Sequence, residues 1–442
     1  MNYLIVLLSK IAKRVLSINN GGTAFPGNLA LKLNKNILSY FKLPKTIFVT
    51  GTTGKTSISG TLYEIYKNAG YKVCSNIKGS NLIGGVTTAI IDSSKLNGKS
   101  KVDTLIIEID ERYVKKVFKY ITPDYFIINN LSRDQLARNG HFSIVFNEIN
   151  NSIKESTHLI LNADDPLVSK FSIGKKNQIT YFGLEKTEGS TKKSKLNTLD
   201  MSYCPKCHEK LEYDYFNYGS LGNYKCLNND FKREAPKYLA YLDKDTLIIN
   251  GDNIKLCNTA IYNAYNIACC YTMALVDNVN KESLVNTLSE LSIKVKRLNE
   301  VLVDGVKTTI LLSKNETPIS YNQSIEYITS KKGTKTVAIG FTRISGRYDL
   351  KDLSWLYDIN FELLNDKSIE RIILIGPFAY DIATRLKLAS INTNKFKYCI
   401  DYTDSLNYSL KNAIGDLYFA VYFDLDYKYI DELRKRGIKI WK

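Results

Sequence analysis

KTIFVTGTTGKTS, Lys45 to Ser57, decides the fold. Its first half is an apolar, β-branched run of strand length; its second half carries two glycines and ends in Lys-Thr-Ser ahead of an amphipathic stretch. A strand that turns through such a loop into a helix offers backbone N–H groups and the positive end of the helix to a phosphate. In this reading Gly51, Thr52, Thr53, Gly54 and Ser57 shape the cradle, Lys55 reaches the outer phosphates of ATP, and the Thr56 hydroxyl serves Mg2+. Val49 stands where a general Walker loop has its first glycine, so the loop is the shorter TGTTGKT form.

Outward from this loop, the apolar runs TLIIEID (Thr104 to Asp110), DYFIINN (Asp124 to Asn130) and HLILNADD (His158 to Asp165) alternate with helix-like stretches. Near-continuous apolar strands of this kind belong to a parallel sheet buried on both faces. From about Leu184 to Pro236 the chain turns polar and tyrosine-rich, as an insertion would, and a helical pattern resumes around Asn263. Beyond Lys296 come TTILLSK, TVAIGFT, RIILIGP and LYFAVYF, the strands of a second, Rossmann-like α/β domain. The expected organisation is an N-terminal segment (1–44), a central P-loop ATPase domain (45–295, insertion about 184–236) and a C-terminal α/β domain (296–442).

The chain has 442 residues, 44% of them apolar, enough for several cores. A net charge of +17 favours anionic partners, although solvated lysines account for most of it. No nucleic-acid-binding motif is present, so nucleic acid is not an expected partner. Of eight cysteines only Cys204, Cys207 and Cys226 cluster with metal-like spacing, which argues against a disulfide framework. The opening MNYLIVLLSKIAKRVL is helical in period, but Lys10 and Lys13–Arg14 cut its apolar run short of a membrane span. It reads as a packed helix or, second, as a membrane-surface helix. A cytoplasmic protein, in contact with the inner face of the membrane if that second reading holds, is expected.

Five further passages follow in order: EIDE (Glu108 to Glu111), NNLSRDQLARNGH (Asn129 to His141), LNADDP (Leu161 to Pro166), YNAYN (Tyr262 to Asn266) and KRLNE around Arg297. With the loop, this set resembles the Mur ligase family of cell-wall synthesis. The resemblance implies that Glu108 holds Mg2+, with Asp110 and Glu111 read as helix-start charges, and that Asp134 lies near a second metal or the catalytic water. It places Asn162, Asp164 and Asp165 at the nucleotide and Asn263 and Asn266 near the adenine.

Three stretches are similar to the MurT branch of that family: GGTAFPGNLALKLNKNIL near the N-terminus, the cysteine insertion Cys204 to Cys226, and KDLSWLYDINFE with GPFAYDIATRLKLA in the C-terminal domain. That similarity implies amidation of the D-glutamate α-carboxylate in the lipid II stem peptide, with ammonia supplied by a GatD-type glutamine amidotransferase in a heterodimer. It further implies that Asp352, or second Asp358, completes the partner's catalytic Cys-His pair. The second half of the zinc-ribbon-like insertion reads Cys226-Leu-Asn-Asn229, leaving three cysteines. A zinc ion would then need His208 or another ligand; otherwise the ribbon is a metal-free remnant. Two C-terminal passages also depart from the branch, at Lys314-Asn315-Glu316 and in FTRISGRYDLKD. An amino-acid ligase of Mur or folylpolyglutamate type, and a binding or regulatory ATPase, are the competing readings.

Overall fold

The computed structural model describes residues 1–17, 23–77, 80–133, 142–196, 199–256, 260–294, 299–312, 318–343 and 352–438. Asp134, Arg297 and the Lys314–Glu316 passage lie outside them. The chain forms two compact units: one of Met1–Ser132, His141–Ser194 and Leu199–Val295, the other of Arg133–Gly140, Lys195–Thr198 and Lys296–Lys442.

In the larger unit, β1 (Lys45–Thr50) sits among β2 (Val73–Ser75), β3 (Thr104–Glu108), β4 (Tyr125–Ile128), β5 (His158–Asn162) and β6 (Ile179–Leu184). Hairpin strands β7 (Leu211–Tyr218) and β8 (Leu221–Cys226) form the insertion, and β9 (Tyr238–Asp243), β10 (Thr246–Ile249) and β11 (Asp252–Lys255) follow. The main sheet runs β11-β10-β9-β6-β5-β4-β1-β3-β2. Strand alternation sends Phe48 into one core with Leu105, Ile107 and Phe126, and Ile47 and Val49 into the opposite core with Ile106 and Ile127. All eight are fully buried, which is why their sequence reads as unbroken apolar runs.

The expected parallel sheet needs one correction. Strands β1 to β6 and β9 pair in parallel, but β10 pairs antiparallel with both β9 and β11, so the sheet is mixed. The signal was present: Asn250-Gly251, with φ of 51° and 81°, is the left-handed dipeptide that closes a tight hairpin.

Helices α1 (Asn2–Ser17), α2 (Phe25–Leu33), α3 (Lys55–Asn68), α4 (Ile83–Asp92), α5 (Ile261–Val276) and α6 (Lys281–Lys294) cover the sheet, with α1, α2 and α4 contributing to one core and α3, α5 and α6 to the other. At the α2–α4 crossing a Cβ on Gly27 would stand 2.0 Å from the Gly84 carbonyl, so only glycine permits that approach. No described helix is long and apolar enough to cross a membrane.

The smaller unit contains β12 (Asn299–Val303), β13 (Val306–Leu312), β14 (Lys335–Gly340), β15 (Ile369–Ile375), β16 (Phe396–Cys399) and β17 (Asp416–Val421) in the order β12-β13-β17-β14-β15-β16. Only β12 is antiparallel to its neighbour. Helices α7 (Pro318–Ser330), α8 (Ala379–Leu388) and α9 (Phe423–Lys435) lie on its faces, with Ile325 and Ile382 in one core and Tyr429 in the other. This is the Rossmann-like arrangement expected from the sequence.

Candidate nucleotide site and cysteine knuckles

The phosphate loop leaves the carboxyl end of β1, at the middle of the parallel strands, where open α/β sheets bind ligands. Gly54 caps α3 with φ of 84°, and a Cβ there would come within 2.5 Å of Asn266 Oδ1. Only glycine turns the chain there and admits the neighbouring amide. Gly54 gives the 14-residue α3 no side-chain cap, the N-terminal end of such a helix attracts an anion, and Thr56 is exposed in its first turn.

Two asparagines from the segment after β4 brace the loop. Asn130 Oδ1 accepts the Thr53 N–H at 2.8 Å while its Nδ2 donates to the Thr53 carbonyl at 3.0 Å. Asn129 Nδ2 donates to the Thr53 carbonyl at 3.3 Å and to Asn266 Oδ1 at 3.2 Å. The structure thus brings Asn266, from α5, to the loop; Asn263 lies one turn earlier on the same helix.

Lys55 is buried, and its ammonium donates to the Gly51 carbonyl, to the Thr52 carbonyl at 3.2 Å and to Glu111 Oε2 at 3.1 Å. Glu111, read from sequence as a helix-start charge, is corrected here: it is 6% exposed and ion-paired with the loop lysine, Lys55. Asp110 follows a different logic. Burial pushes its carboxyl up, but the Arg112 guanidinium, bonded through two nitrogens at 2.8 and 2.7 Å, and then Lys55 hold it below the usual range. Glu108 lies at the end of β3 with Oε1 accepting from Asn81 at 2.9 Å, and its backbone is fixed by a pair of 2.8 Å bonds to Asn76. Glu108, Glu111 and Lys55 are all buried, Glu108 at the carboxyl end of β3 and the other two paired with each other.

Asn162, Asp164 and Asp165 face inward. Asn162 Oδ1 accepts the Asp164 N–H at 3.0 Å. Asp164, fully buried, accepts from Arg233 Nε at 2.7 Å, Tyr265 Oη at 2.6 Å and the Leu184 N–H at 3.0 Å. Asp165 caps the helix Pro166–Ser169 through the Leu167 and Val168 N–H groups and also accepts from Leu131 N. Burial pushes its carboxyl up to about 7. Both carboxylates tie elements of the unit together rather than opening toward a ligand.

In the insertion, Cys204, Cys207, Cys226 and Asp230 bring one donor atom each to within 4.8 Å of one another. The apparent gap in the sequence is filled by Asp230, and His208 is not in the group. Two similar turns explain this. Cys204 N–H donates to Glu209 O at 2.7 Å and Cys226 N–H to Phe231 O at 2.9 Å, a matching span in each. The first turn places its left-handed residue at His208, φ 63°, just after Cys207; the second places it one position earlier, at Asn229, φ 55°. That shift moves the inward side chain from Asn229 to Asp230, whose Oδ1 lies 2.6 Å from Cys226 Sγ and 3.2 Å from Cys204 Sγ. Burial pushes the Cys204 thiol up to about 11, against the Lys206 and Cys207 N–H groups, which point at its Sγ at 3.4 and 3.5 Å and favour the thiolate.

In the smaller unit Asp352 is exposed and accepts the Ser354 N–H at 2.8 Å. Asp358 lies 3.6 Å from the Arg133 guanidinium, a residue of the same unit.

The family model for the Mur ligase middle domain matches residues 49–228, and that for the MurT ligase C-terminal matches residues 312–422. A relative from Staphylococcus aureus, named lipid II isoglutaminyl synthase (glutamine-hydrolyzing) subunit MurT, is 31% identical over 392 residues, 87% of this chain and 87% of its own. A Streptococcus pneumoniae relative of the same name is 28% identical, covering 92% of this chain and 90% of its own. Among solved structures, a pseudomurein peptide ligase type C from Methanothermus fervidus shares the fold with a TM-score of 0.67 at 20% identity, covering 91% of this chain and 80% of that one. Phosphate loop, sheet order and full-length similarity agree: the chain belongs to the Mur ligase family, in its MurT branch.

Proposed function

We propose that this chain is the activating subunit of a two-component amidating ligase. It uses ATP to turn the α-carboxylate of D-glutamate in the lipid II stem peptide into an acyl phosphate, which ammonia from a GatD-type glutamine amidotransferase converts to D-isoglutamine. The observation that carries this reading is the 31% identity to a MurT subunit over 87% of both chains. In the first step a carboxylate oxygen bonds the γ-phosphorus and ADP leaves; in the second, ammonia bonds the acyl carbon, phosphate leaves and a proton is lost. A free carboxylate is a poor acyl donor, which is why activation must come first.

The residues fit these demands. The α3 N-terminus, entered through Gly54, suits a phosphate, and Lys55, held beside it by Glu111, supplies positive charge where negative charge gathers. Glu108, fixed by Asn76 and Asn81, and Thr56 would hold Mg2+, which would supply positive charge to the phosphates. The amidation is tested by combining the chain with a GatD-type partner, ATP, glutamine and lipid II and following the product by mass spectrometry. Amino-acid addition to a nucleotide-linked precursor instead would sink the reading in favour of an amino-acid ligase.

For the partner, exposed aromatic side chains support a docking face on the smaller unit: Tyr357, Tyr380 and Tyr398, the last two stacked at 5.1 Å. Asp352 is the better placed carboxylate to orient a partner histidine, being exposed and held by one backbone N–H, whereas Asp358 already faces Arg133. Asp352→Asn is predicted to lower glutamine-dependent amidation by about a hundredfold or more, with ammonia-dependent amidation unchanged. Equal glutamine-dependent rates would remove Asp352 from the assignment.

The knuckles fit zinc: three sulfurs and one carboxylate oxygen converge, and N–H groups face a sulfur. Cys204, Cys207, Cys226 and Asp230 would hold it, and its part would be to fasten the two turns together. Asp230→Ala is expected to bring bound zinc well below one per chain and lower the melting midpoint, while Asp230→Cys retains the metal. Full zinc occupancy in Asp230→Ala, read by elemental analysis, would refute the carboxylate's role.

A further inference from the structure

Helix α1 buries only Ile5, Val6 and Ser9. Its other face carries Leu4, Leu8, Ile11 and Val15, each 51% to 60% exposed, after Met1 at 89%. Spacings of four, three and four residues align these side chains in one stripe along the helix. Adjacent α2, joined to α1 by the Asn34–Asn2 hydrogen bond, adds exposed Phe25 and Leu33. A contiguous apolar stripe on a surface helix marks a contact site rather than scattered exposure.

Charge identifies what covers it. No Asp or Glu occurs among residues 1–63, while Arg14 and Lys32 are exposed on these two helices and Lys35 just after α2. Lys10 donates to the Ile91 carbonyl at 2.5 Å and Lys13 pairs with Asp92, so both anchor α1 to the unit instead of reaching outward. The stripe's spacing would also suit a second copy of α1, but that copy brings the same cations and no acidic residue of this region to meet them. A basic, amphipathic helix with its apolar face open fits an anionic lipid surface.

We propose that α1, with α2, lies on the surface of an anionic phospholipid bilayer, its Leu4-Leu8-Ile11-Val15 stripe in the acyl boundary and its cations at the headgroups. This deepens the amidation reading and rests on it for its purpose, because a lipid-linked substrate is met at such a surface. The physical contact itself needs neither ATP nor substrate.

The test is sedimentation of the full chain with vesicles of phosphatidylglycerol and phosphatidylcholine in equal parts, without nucleotide or lipid II. Binding that weakens with salt is expected, together with a loss of at least about tenfold in Leu8→Glu/Ile11→Glu and a smaller loss in Arg14→Glu/Lys32→Glu. Leu4→Asn/Val15→Asn reads the same stripe with a milder change, and unchanged melting midpoints confirm intact folding. The proposal is overturned if the wild-type chain ignores these vesicles, if it binds phosphatidylcholine alone equally well, or if the stripe variants bind undiminished. It is equally overturned if sedimentation shows a dimer that Leu8→Glu/Ile11→Glu converts to monomer. Amidation of detergent-dispersed lipid II is the separate readout: its failure with vesicle binding intact refutes the amidation reading alone, and its persistence without vesicle binding refutes the docking alone.

Discussion

Lys55→Ala is expected to lower ATP-dependent amide formation by about a thousandfold, because removing a preorganised charge from a developing phosphoryl transition state has costs of that order. The same substitution strips the partner from buried Glu111, whose carboxylate lies 3.1 Å from the lysine. A loss of stability therefore accompanies the loss of rate, and the two need separating. Lys55→Ala/Glu111→Gln does so: neutralising the orphaned carboxylate should recover most of the stability and none of the activity. Rates are read by product formation and stability by denaturant unfolding. Activity within about tenfold of wild type in the double variant would show that Lys55 serves the fold and not the phosphates.

Asp164→Ala should be the most destabilising single change in the larger unit, by about 3–5 kcal/mol, the usual consequence of removing one member of a buried ion pair. Asp164 is fully buried, and its loss leaves the Arg233 guanidinium, 12% exposed, without its 2.7 Å partner. The Tyr265 hydroxyl and the Leu184 N–H lose an acceptor as well. These contacts join β5, β6, α5 and the residues after the ribbon hairpin, so unfolding should begin there. Asp164→Leu/Arg233→Met is expected to be less damaging than Asp164→Ala, since removing both charges leaves neither one stranded. The unfolding midpoint of the larger unit decides it: a shift below about 1 kcal/mol for Asp164→Ala would mean that water reaches Arg233 and replaces the carboxylate.

What the sequence makes legible at the candidate site, and what it leaves open, has a common cause. Gly51 to Ser57 were legible because a strand, a turn and a helix start are contiguous, and each carries its own residue chemistry. Asp164 and Asp165 were assigned outward from a motif, yet a carboxylate at a strand end points either to ligand or to core, and one residue of register decides which. Glu111 was missed for the same reason: in EIDE the sequence offers three carboxylates, and only the path after β3 selects which of them meets Lys55, 56 residues earlier. The brace from Asn129 and Asn130 could have been suspected from paired asparagines directly after a buried strand, where amides commonly fix a neighbouring loop.

By itself the sequence determined the phosphate loop, two α/β units built on buried strands, the cysteine set and a helical N-terminus. These are encoded in periodicity and short spacing, where neighbours along the chain are neighbours in space. Tertiary structure alone decided the Lys55–Glu111 pair, the inward turn of Asp164, the open face of α1 and the fourth donor of the knuckles. Asp230 shows why. A left-handed residue one position earlier in the second turn carries the inward side chain from residue 229 to residue 230. Backbone handedness, not the count of cysteines, fixes which four atoms converge.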